Sequence, residues 1–514
     1  MSSLFPKLVR RFSLLFVLIW IVTALDSHPV SAAAVRPLTL GFEGDARQLP
    51  NQMFGASVEA LIEHLLDDPT KVTALKQVAP GVIRFPGGSQ SNYYDWRTGL
   101  INVSAQQNSS SYMTFWATVA PRIDRAFPTG ITMELYAPVA QQIGAKVILV
   151  PNLETSTVTD QVAWFKQLAT ESILPTDIEL GNEFWIAMDL DPAVLKKWPD
   201  ETTSMGIMQQ YATALRPIVG RSGKFAVQAS AAEFDNLPSA KGPLAQREFA
   251  WDSALAPAPW FDAVTLHLYP RPEVLAASVP NATTVQLFDL FMGHGDSAVD
   301  RVITDTAKRM PGKEIWITEW SPRGGNAADL TNPNFHELVP PPMRAQLVTR
   351  YELAFLRNPA VTKALYFTFN FDDKSVLQEF VRNPDGTGYV PMDPALVMSW
   401  FASAANAGGT FQRLIDPTAQ PITGVGQFQD SYRAIEGGLF VQGKRTVLIL
   451  QNASNEARTY DPSQGGTKPW PTQADLLVTS DLTAQAKVAG QTTSLPVSQP
   501  LTLPPYSILR LIWQ

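Results

Sequence analysis

Between about residue 52 and residue 406, short β-rich apolar runs alternate with longer stretches whose apolar positions recur every three or four residues. Short apolar runs of this kind read as strands and the longer spacing as amphipathic helix, so the pattern predicts repeated βα units around a parallel sheet. Eight strands are predicted, at residues 52–59, 82–85, 146–151, 177–183, 224–230, 262–269, 314–319 and 364–370. Helices are expected at residues 205–219, 298–310, 343–356 and 394–405, among others. The run Val147-Ile148-Leu149-Val150 is continuously apolar, as a parallel strand covered on both faces should be. Eight such units close a (β/α)8 TIM barrel.

After Asn406 the pattern changes to alternating apolar and polar residues broken by Gly, Asn and Asp, with strand-like runs at 438–441 and 446–450. This predicts a C-terminal antiparallel β-sandwich. Its last strand is expected at 506–512, and residues 37–42 are expected to join the same sheet. The organisation predicted is a signal peptide (1–33), an N-terminal strand (34–50), the barrel (51–406) and the sandwich (407–514).

The signal is read from Lys7, Arg10 and Arg11, the apolar run from Phe12 to Leu25, and the small residues Ser31 to Ala34. The run is shorter than the roughly 20 residues that span a bilayer as a helix, so no integral membrane span is expected in the mature chain. A secreted or periplasmic protein is therefore expected. With 45% hydrophobic and 17% charged residues, 31 Gly and 41 Pro, the 514-residue chain is globular and rich in shaped loops. Its net charge of -7, which becomes more acidic once the basic leader is removed, argues against nucleic acid as a partner. The absence of cysteine excludes disulfides, zinc–thiolate sites and a thiol nucleophile.

Arg84, Asn152, Glu183, His267, Glu319 and Asn370 fall at or near the C-terminal ends of predicted strands, where barrel enzymes assemble their sites. Two long connections, 95–131 and 321–342, follow strand ends and read as walls or lids. Retaining cleavage of a glycosidic bond needs two carboxyl groups about 5 to 5.5 Å apart, one to protonate the leaving oxygen and one to attack the anomeric carbon. Strands four and seven supply Glu183 and Glu319 for these roles. On strand seven a period of two places Ile315, Ile317 and Glu319 on one face, expected to point inward, with Arg84 as the counter-charge that keeps Glu319 ionised. Glu183 has to be kept protonated, and the nearby Glu319 charge together with aromatic cover from Phe184 and Trp185 are the expected means. Asn182 can face the same site only if the strand bulges or ends there.

Gly181-Asn182-Glu183 and Thr318-Glu319-Trp320 resemble the motifs of glycoside hydrolase clan A, the retaining (β/α)8 glycosidases with acid/base after strand four and nucleophile at the end of strand seven. The stretch from Arg84 to Arg97 is similar to the strand-two segment of α-L-arabinofuranosidases, and barrel plus sandwich is also similar to heparanase-like β-glucuronidases. The resemblance implies a retaining glycosidase with Glu183 as acid/base and Glu319 as nucleophile. It adds His267 and Tyr269 to the site, with Tyr269 able to donate a hydrogen bond to the nucleophile. Where the clan often carries a Trp at the end of strand eight, this chain reads Phe367-Thr368-Phe369-Asn370. Substrate-binding residues are expected at Arg84, Asn92, Trp96, Asn182, His267 and Tyr269. His267 is equally readable as a satisfied core histidine, and Arg84 as a group that only neutralises buried carboxylates.

The five histidines form no His-Glu-x-x-His pair, and neither a phosphate loop nor a Gly-x-Ser-x-Gly elbow is present. No metal or organic cofactor is implied. The expected partner is a carbohydrate substrate. A non-catalytic carbohydrate-binding protein on the same barrel is the alternative reading. Sugar, linkage and oligomeric state are left open by the sequence.

Overall fold

The computed structural model describes residues 36–514 apart from 59, 62–64, 67, 103–128, 187–191, 232–233, 235–241, 271, 323–338, 370, 372–377, 427–428 and 464–469. Eight parallel strands close into a barrel in chain order: Phe54–Ala56, Val82–Phe85, Lys146–Leu149, Asp177–Glu179, Lys224–Gln228, Ala263–Leu268, Glu314–Trp320 and Val361–Tyr366. These are strands one to eight. Each predicted strand has its counterpart, with ends displaced by a few residues. The signal segment, most of the two long connections and Asn370 lie outside the described residues.

A helix follows each strand: Pro69–Val78, Met133–Ile143, Val158–Thr170, Glu201–Val219, Pro243–Leu255, Val299–Arg309, Pro341–Arg357 and Asp393–Ala405. Local sequence sets their ends. Glu201–Val219 starts where Asp200 accepts the amide hydrogen of Thr203 at 2.7 Å, satisfying a donor that the first turn leaves open, and stops at Gly220 with φ 84°. No helix among the described residues is long and apolar enough to cross a membrane.

Alternation along the strands sorts side chains into two populations. Ile83, Phe85, Val147, Leu149, Ile178, Leu180, Phe225, Val227, Val264, Leu266, Ile315 and Ile317 belong to the large core that includes the helices. Val82, Ile148, Ala226, Ala263, Trp316 and Leu365, one from each of six strands, form a separate small cluster that fills the inside of the barrel. Two residues further along their strands, Arg84, Gln228, Thr265 and Thr318 make the next inward layer, joined by Glu179; all are buried and polar.

Strand seven departs from the predicted parity. Ile315 and Ile317 pack outward, and Trp316 and Thr318 point in. Regular alternation would then send Glu319 outward. The pairing register shifts instead, with Leu266 opposite Ile317 but His267 opposite Glu319, and this irregularity turns Glu319 to the mouth. Trp320 packs outward, stacking on Tyr351 of the following helix with ring centroids 5.6 Å apart.

Beyond Ala405 the chain builds a seven-stranded sheet from Gly41–Asn51, Ala407–Ile415, Ile435–Gln442, Arg445–Asn452, Ser507–Trp513, Gln473–Val478 and Thr492–Ser494, in that spatial order. A second sheet joins Arg36–Leu38, Arg458–Tyr460 and Leu501–Leu503. Leu38, Leu448, Leu450, Leu476, Leu501, Leu503, Leu509 and Leu511 from both sheets share one core, which makes the pair a sandwich. The N-terminal segment thus contributes to both sheets. Its one parallel pairing, Arg36–Leu38 with Arg458–Tyr460, departs from the expected all-antiparallel pattern.

The opposite face of the large sheet packs on the barrel, with Phe440 edge-on to Phe401 of the last helix at 6.1 Å. Arg47 in Gly41–Asn51 donates to the carbonyls of Phe355, Leu356 and Asn358 at the C-terminus of Pro341–Arg357, where a cation matches the negative helix end.

Candidate active site

Strand four ends at Glu179, four residues before its predicted limit, and the chain leaves the sheet through a turn with φ 80° at Gly181 and φ 53° at Glu183. That ending resolves how Asn182 and Glu183 both face the mouth. Gly181 has no alternative residue: beyond its positive φ, a Cβ there would collide with the ring of Phe184. The amide of Gln228 brackets the turn, donating to the Gly181 carbonyl and accepting from the Phe184 N–H at 3.2 Å. On the other side Asn92, fully buried, accepts from the Asn182 N–H at 3.1 Å and donates to the Asn182 carbonyl at 2.8 Å.

Phe184 does not serve as the expected cover of the Glu183 carboxylate. Phe184 stacks on Trp198 with centroids 3.8 Å apart, and Arg247 takes the carbonyls of Phe184, Trp185 and Trp198. This clamps the loop from behind. The carboxylate itself meets polar partners, the His267 ring at 2.7 Å and the Asn182 amide nitrogen at 3.4 Å.

Glu319 lies across the mouth. Its Oε1 accepts from Arg84 and its Oε2 from the Tyr269 hydroxyl at 2.5 Å. Arg84 also forms a fork with Glu179, 2.7 Å from Nε to Oε2 and 3.0 Å from Nη2 to Oε1, and donates to Asn182 Oδ1 at 2.9 Å. Burial works against the guanidinium charge, but Glu179 and Glu319 outweigh it and hold Arg84 charged. Glu179 is likewise fully buried; Arg84 and then His267 overcome that burial and keep its carboxyl below the usual range. Tyr269 is held in its neutral form first by burial and then by the Glu319 charge, so it remains a donor.

His267 stands between the two glutamates, with Nδ1 2.7 Å from Glu183 Oε1 and 3.6 Å from Glu319 Oε2. Its Nε2 is 3.1 Å from Thr318 Oγ1, and that hydroxyl donates to Glu179 Oε1 at 3.0 Å. With its one hydrogen committed to a carboxylate, the hydroxyl can only accept from the ring. Nε2 therefore donates, and Nδ1, which faces oxygens of both Glu183 and Glu319, donates as well in the imidazolium form. Burial alone would lower its pKa, but Glu319, with Glu179 and Glu183, pushes it up to about 10.

Oxygen and nitrogen atoms of Glu183, His267 and Glu319 lie within 4.8 Å of one another. The donor set does not fit a metal centre: an imidazolium has no free lone pair, and Arg84 already neutralises Glu319.

Of the predicted site residues, Glu183, Glu319, Arg84, Asn182, His267 and Tyr269 converge in this cluster. Asn92 reaches it through the backbone of Asn182, so it positions the turn. Trp96 stands apart from these contacts, stacked on Trp164 with centroids 6.4 Å apart and donating to Asp160 at 3.3 Å. Glu179, Thr318 and Gln228 were not singled out from the sequence. Glu179 had a signal: a buried guanidinium carries five N–H donors, more than a single carboxylate accepts, so Arg84 called for a second acceptor. Phe367 at the end of strand eight is half-buried and sits edge-on to Tyr269 at 5.8 Å.

No protein-family model matches this sequence, and neither does any curated protein. Solved structures do match in fold. A family 51 arabinofuranosidase from Xanthomonas axonopodis pv. citri superposes with a TM-score of 0.63 at 15% identity, covering 93% of this chain and 100% of its own. A family 44 xyloglucanase from Paenibacillus polymyxa gives 0.57 at 10% identity, covering 93% and 99%. A 4-O-α-L-rhamnosyl-β-D-glucuronidase from Fusarium oxysporum gives 0.52 at 14% identity, covering 92% and 99%. The barrel with its sandwich is therefore an architecture that this chain shares, over more than nine-tenths of its length, with three solved structures of differing named specificity.

Proposed function

We propose that this protein is a retaining glycoside hydrolase that acts outside the cytoplasm on oligo- or polysaccharide. One observation carries the reading: carboxylate oxygens of Glu183 and Glu319 stand within 4.8 Å across the barrel mouth. Retaining enzymes need roughly 5 to 5.5 Å, whereas inverting ones need about 6.5 to 9.5 Å to admit a water. The fold shared with glycosidases supports the same class, and the leader-like residues 1–33 support export.

In the first step Glu319 forms a bond to the anomeric carbon as the glycosidic C–O bond breaks, and Glu183 passes its proton to the departing oxygen. In the second, water attacks that carbon, gives a proton to Glu183, and the ester to Glu319 breaks. Arg84 and Tyr269 orient Glu319 through its two oxygens. The amide nitrogen of Asn182, held by long contacts of 3.4 Å to Glu183 and Ser89, can turn to meet a sugar hydroxyl next to the reacting carbon.

Charge is conserved through the cycle. With Glu183 protonated, the positive charges of Arg84 and His267 match the negative charges of Glu179 and Glu319. In the glycosyl-enzyme Glu319 is a neutral ester and Glu183 is ionised, and the four charges again cancel. His267, 2.7 Å from Glu183 and 3.6 Å from Glu319, stands near whichever carboxylate is negative at each stage, so the site requires little reorganisation.

The test is a panel of aryl glycosides (arabinofuranoside, glucuronide, xyloside, glucoside) followed by a 2-fluoro analogue of whichever is cleaved. A covalent adduct mapped to Glu319 is expected, with turnover lost in Glu319→Ala and partly restored by azide in Glu183→Ala. Full activity in either variant refutes the assignment.

A further inference from the structure

Glu179 is absent from the two-carboxylate mechanism, yet it is the most completely buried acid of the cluster and makes more contacts than either reacting glutamate. Its oxygens take two bonds from Arg84 and one from Thr318, with His267 Nε2 at 3.7 Å. A buried ionised carboxylate costs several kcal/mol unless it is paired and hydrogen-bonded, so a purely passive acid is expensive at this position. Around the His267 ring stand Glu179 and Glu183 from strand four and its turn, Thr318 and Glu319 from strand seven, and Tyr269 just past the end of strand six, with Arg84 behind Glu179 and Glu319.

We propose that Glu179 is a positioning residue which keeps His267 an imidazolium through both steps, acting through Thr318 and by cancelling the charge of Arg84. The inference rests on the glycosidase reading for its purpose, but not for its physical content.

The argument is electrostatic. Arg84 serves two acids, and during the glycosyl-enzyme stage Glu319 carries no charge. Without Glu179, Arg84 would then face the ring with no carboxylate of its own, and a second cation beside it would be disfavoured. With Glu179 ionised, Arg84 is matched at every stage and the ring proton is retained. The hydroxyl of Thr318 makes the link directional, since Glu179 takes its hydrogen and leaves its lone pair for Nε2–H. Removing the Glu179 charge therefore unties the ring from one side and the counter-ion from the other.

The deciding measurement is the titration of the His267 ring followed by heteronuclear NMR, assigned by its loss in His267→Gln. In Glu179→Gln the midpoint is expected to fall by about one pH unit or more, while Glu179→Asp, which keeps the charge, stays near wild type. Should Glu179→Gln fail to fold, Thr318→Val cuts only the hydroxyl link, and its midpoint is expected to fall as well. An unmoved midpoint in the folded Gln variant, or in Thr318→Val where the Gln variant does not fold, overturns the proposal. With a cleaved aryl glycoside, Glu179→Gln should shift the alkaline limb of kcat/KM to lower pH and leave KM nearly unchanged. A merely structural loss would lower activity at all pH values alike. The ring titration needs no turnover: absence of glycosidase activity would sink the proposed function and leave this inference standing.

Discussion

Tyr269 gives its hydroxyl hydrogen to Oε2 of Glu319 at 2.5 Å, on the oxygen that Arg84 leaves open. A hydrogen bond to a charged group contributes about 1.5–3 kcal/mol, and in the proposed mechanism it fixes which lone pair of Glu319 attacks. Tyr269→Phe removes the donor and keeps the ring. Its kcat should fall about 10- to 100-fold with little change in melting temperature, because the lost bond orients a reacting group and supports little of the core. Steady-state kinetics beside a thermal melt would check this, and an unchanged kcat would show that Arg84 alone orients Glu319.

Arg84 is the cation on which two buried acids depend. Arg84→Met leaves Glu179 and Glu319 with only the His267 ring as a nearby cation, and breaking a buried ion pair from one side costs about 3–5 kcal/mol. Glu319→Gln should cost far less, because Arg84 keeps its fork to Glu179. Urea unfolding of the two variants side by side tests the ordering; equal losses would mean that the Arg84–Glu319 contact carries as much as the fork.

The elevated His267 fixes the sign of a pH effect. Its folded pKa of about 10 lies above its ordinary value near 6.5, so its contribution to stability is fully present below about 6.5 and fades as pH rises through 10. Wild type should lose melting temperature across that window, while His267→Gln should show a flatter profile over the same range. Parallel profiles would mean that the ring carries no extra proton in the folded state.

The barrel was legible because its strands are short apolar runs at regular spacing; of the two glutamates proposed to react, Glu319 falls on strand seven, whereas Glu183 lies in the turn four residues beyond the end of strand four. Parity on strand seven was not legible. Ile315, Ile317 and Glu319 keep a period of two in the sequence, yet the isoleucines face the helices and Glu319 faces the mouth, since a register shift against strand six intervenes. Such shifts are set by pairing with a distant strand and leave no local mark. Gln228 was hidden for a related reason: its role is to bracket a turn 44 residues away, and that turn takes its shape only when strands four and five are adjacent. Trp320 follows Glu319 in sequence yet packs away from the mouth on Tyr351, because neighbours on a strand point to opposite faces.

Barrel and sandwich are joined by charge as well as by apolar contact. Glu436 on the large sheet accepts from Arg350 at 2.6 Å and from Arg413 at 2.9 Å, and pairs with Arg357 at 3.2 Å; Arg350 and Arg357 belong to the barrel helix Pro341–Arg357. Burial pushes the Glu436 carboxyl up, but the three arginines, Arg357 foremost, hold it far below the ordinary range. A depressed carboxyl contributes stability that is present above its unfolded pKa of about 4.5 and lost as pH falls below it, so acid should loosen this interface. Glu436→Gln leaves the arginines buried without their shared counter-ion and should cost about 3–5 kcal/mol at neutral pH, with the difference from wild type shrinking as the medium is acidified. Residues 51–406 expressed alone lose Glu436 altogether, along with the arginine that satisfies the carbonyls at the end of this helix, and should not give a cooperative melt. A cooperative transition in that fragment, with the wild-type spectrum, would show that the sandwich is dispensable to the barrel and that the buried arginines find water instead.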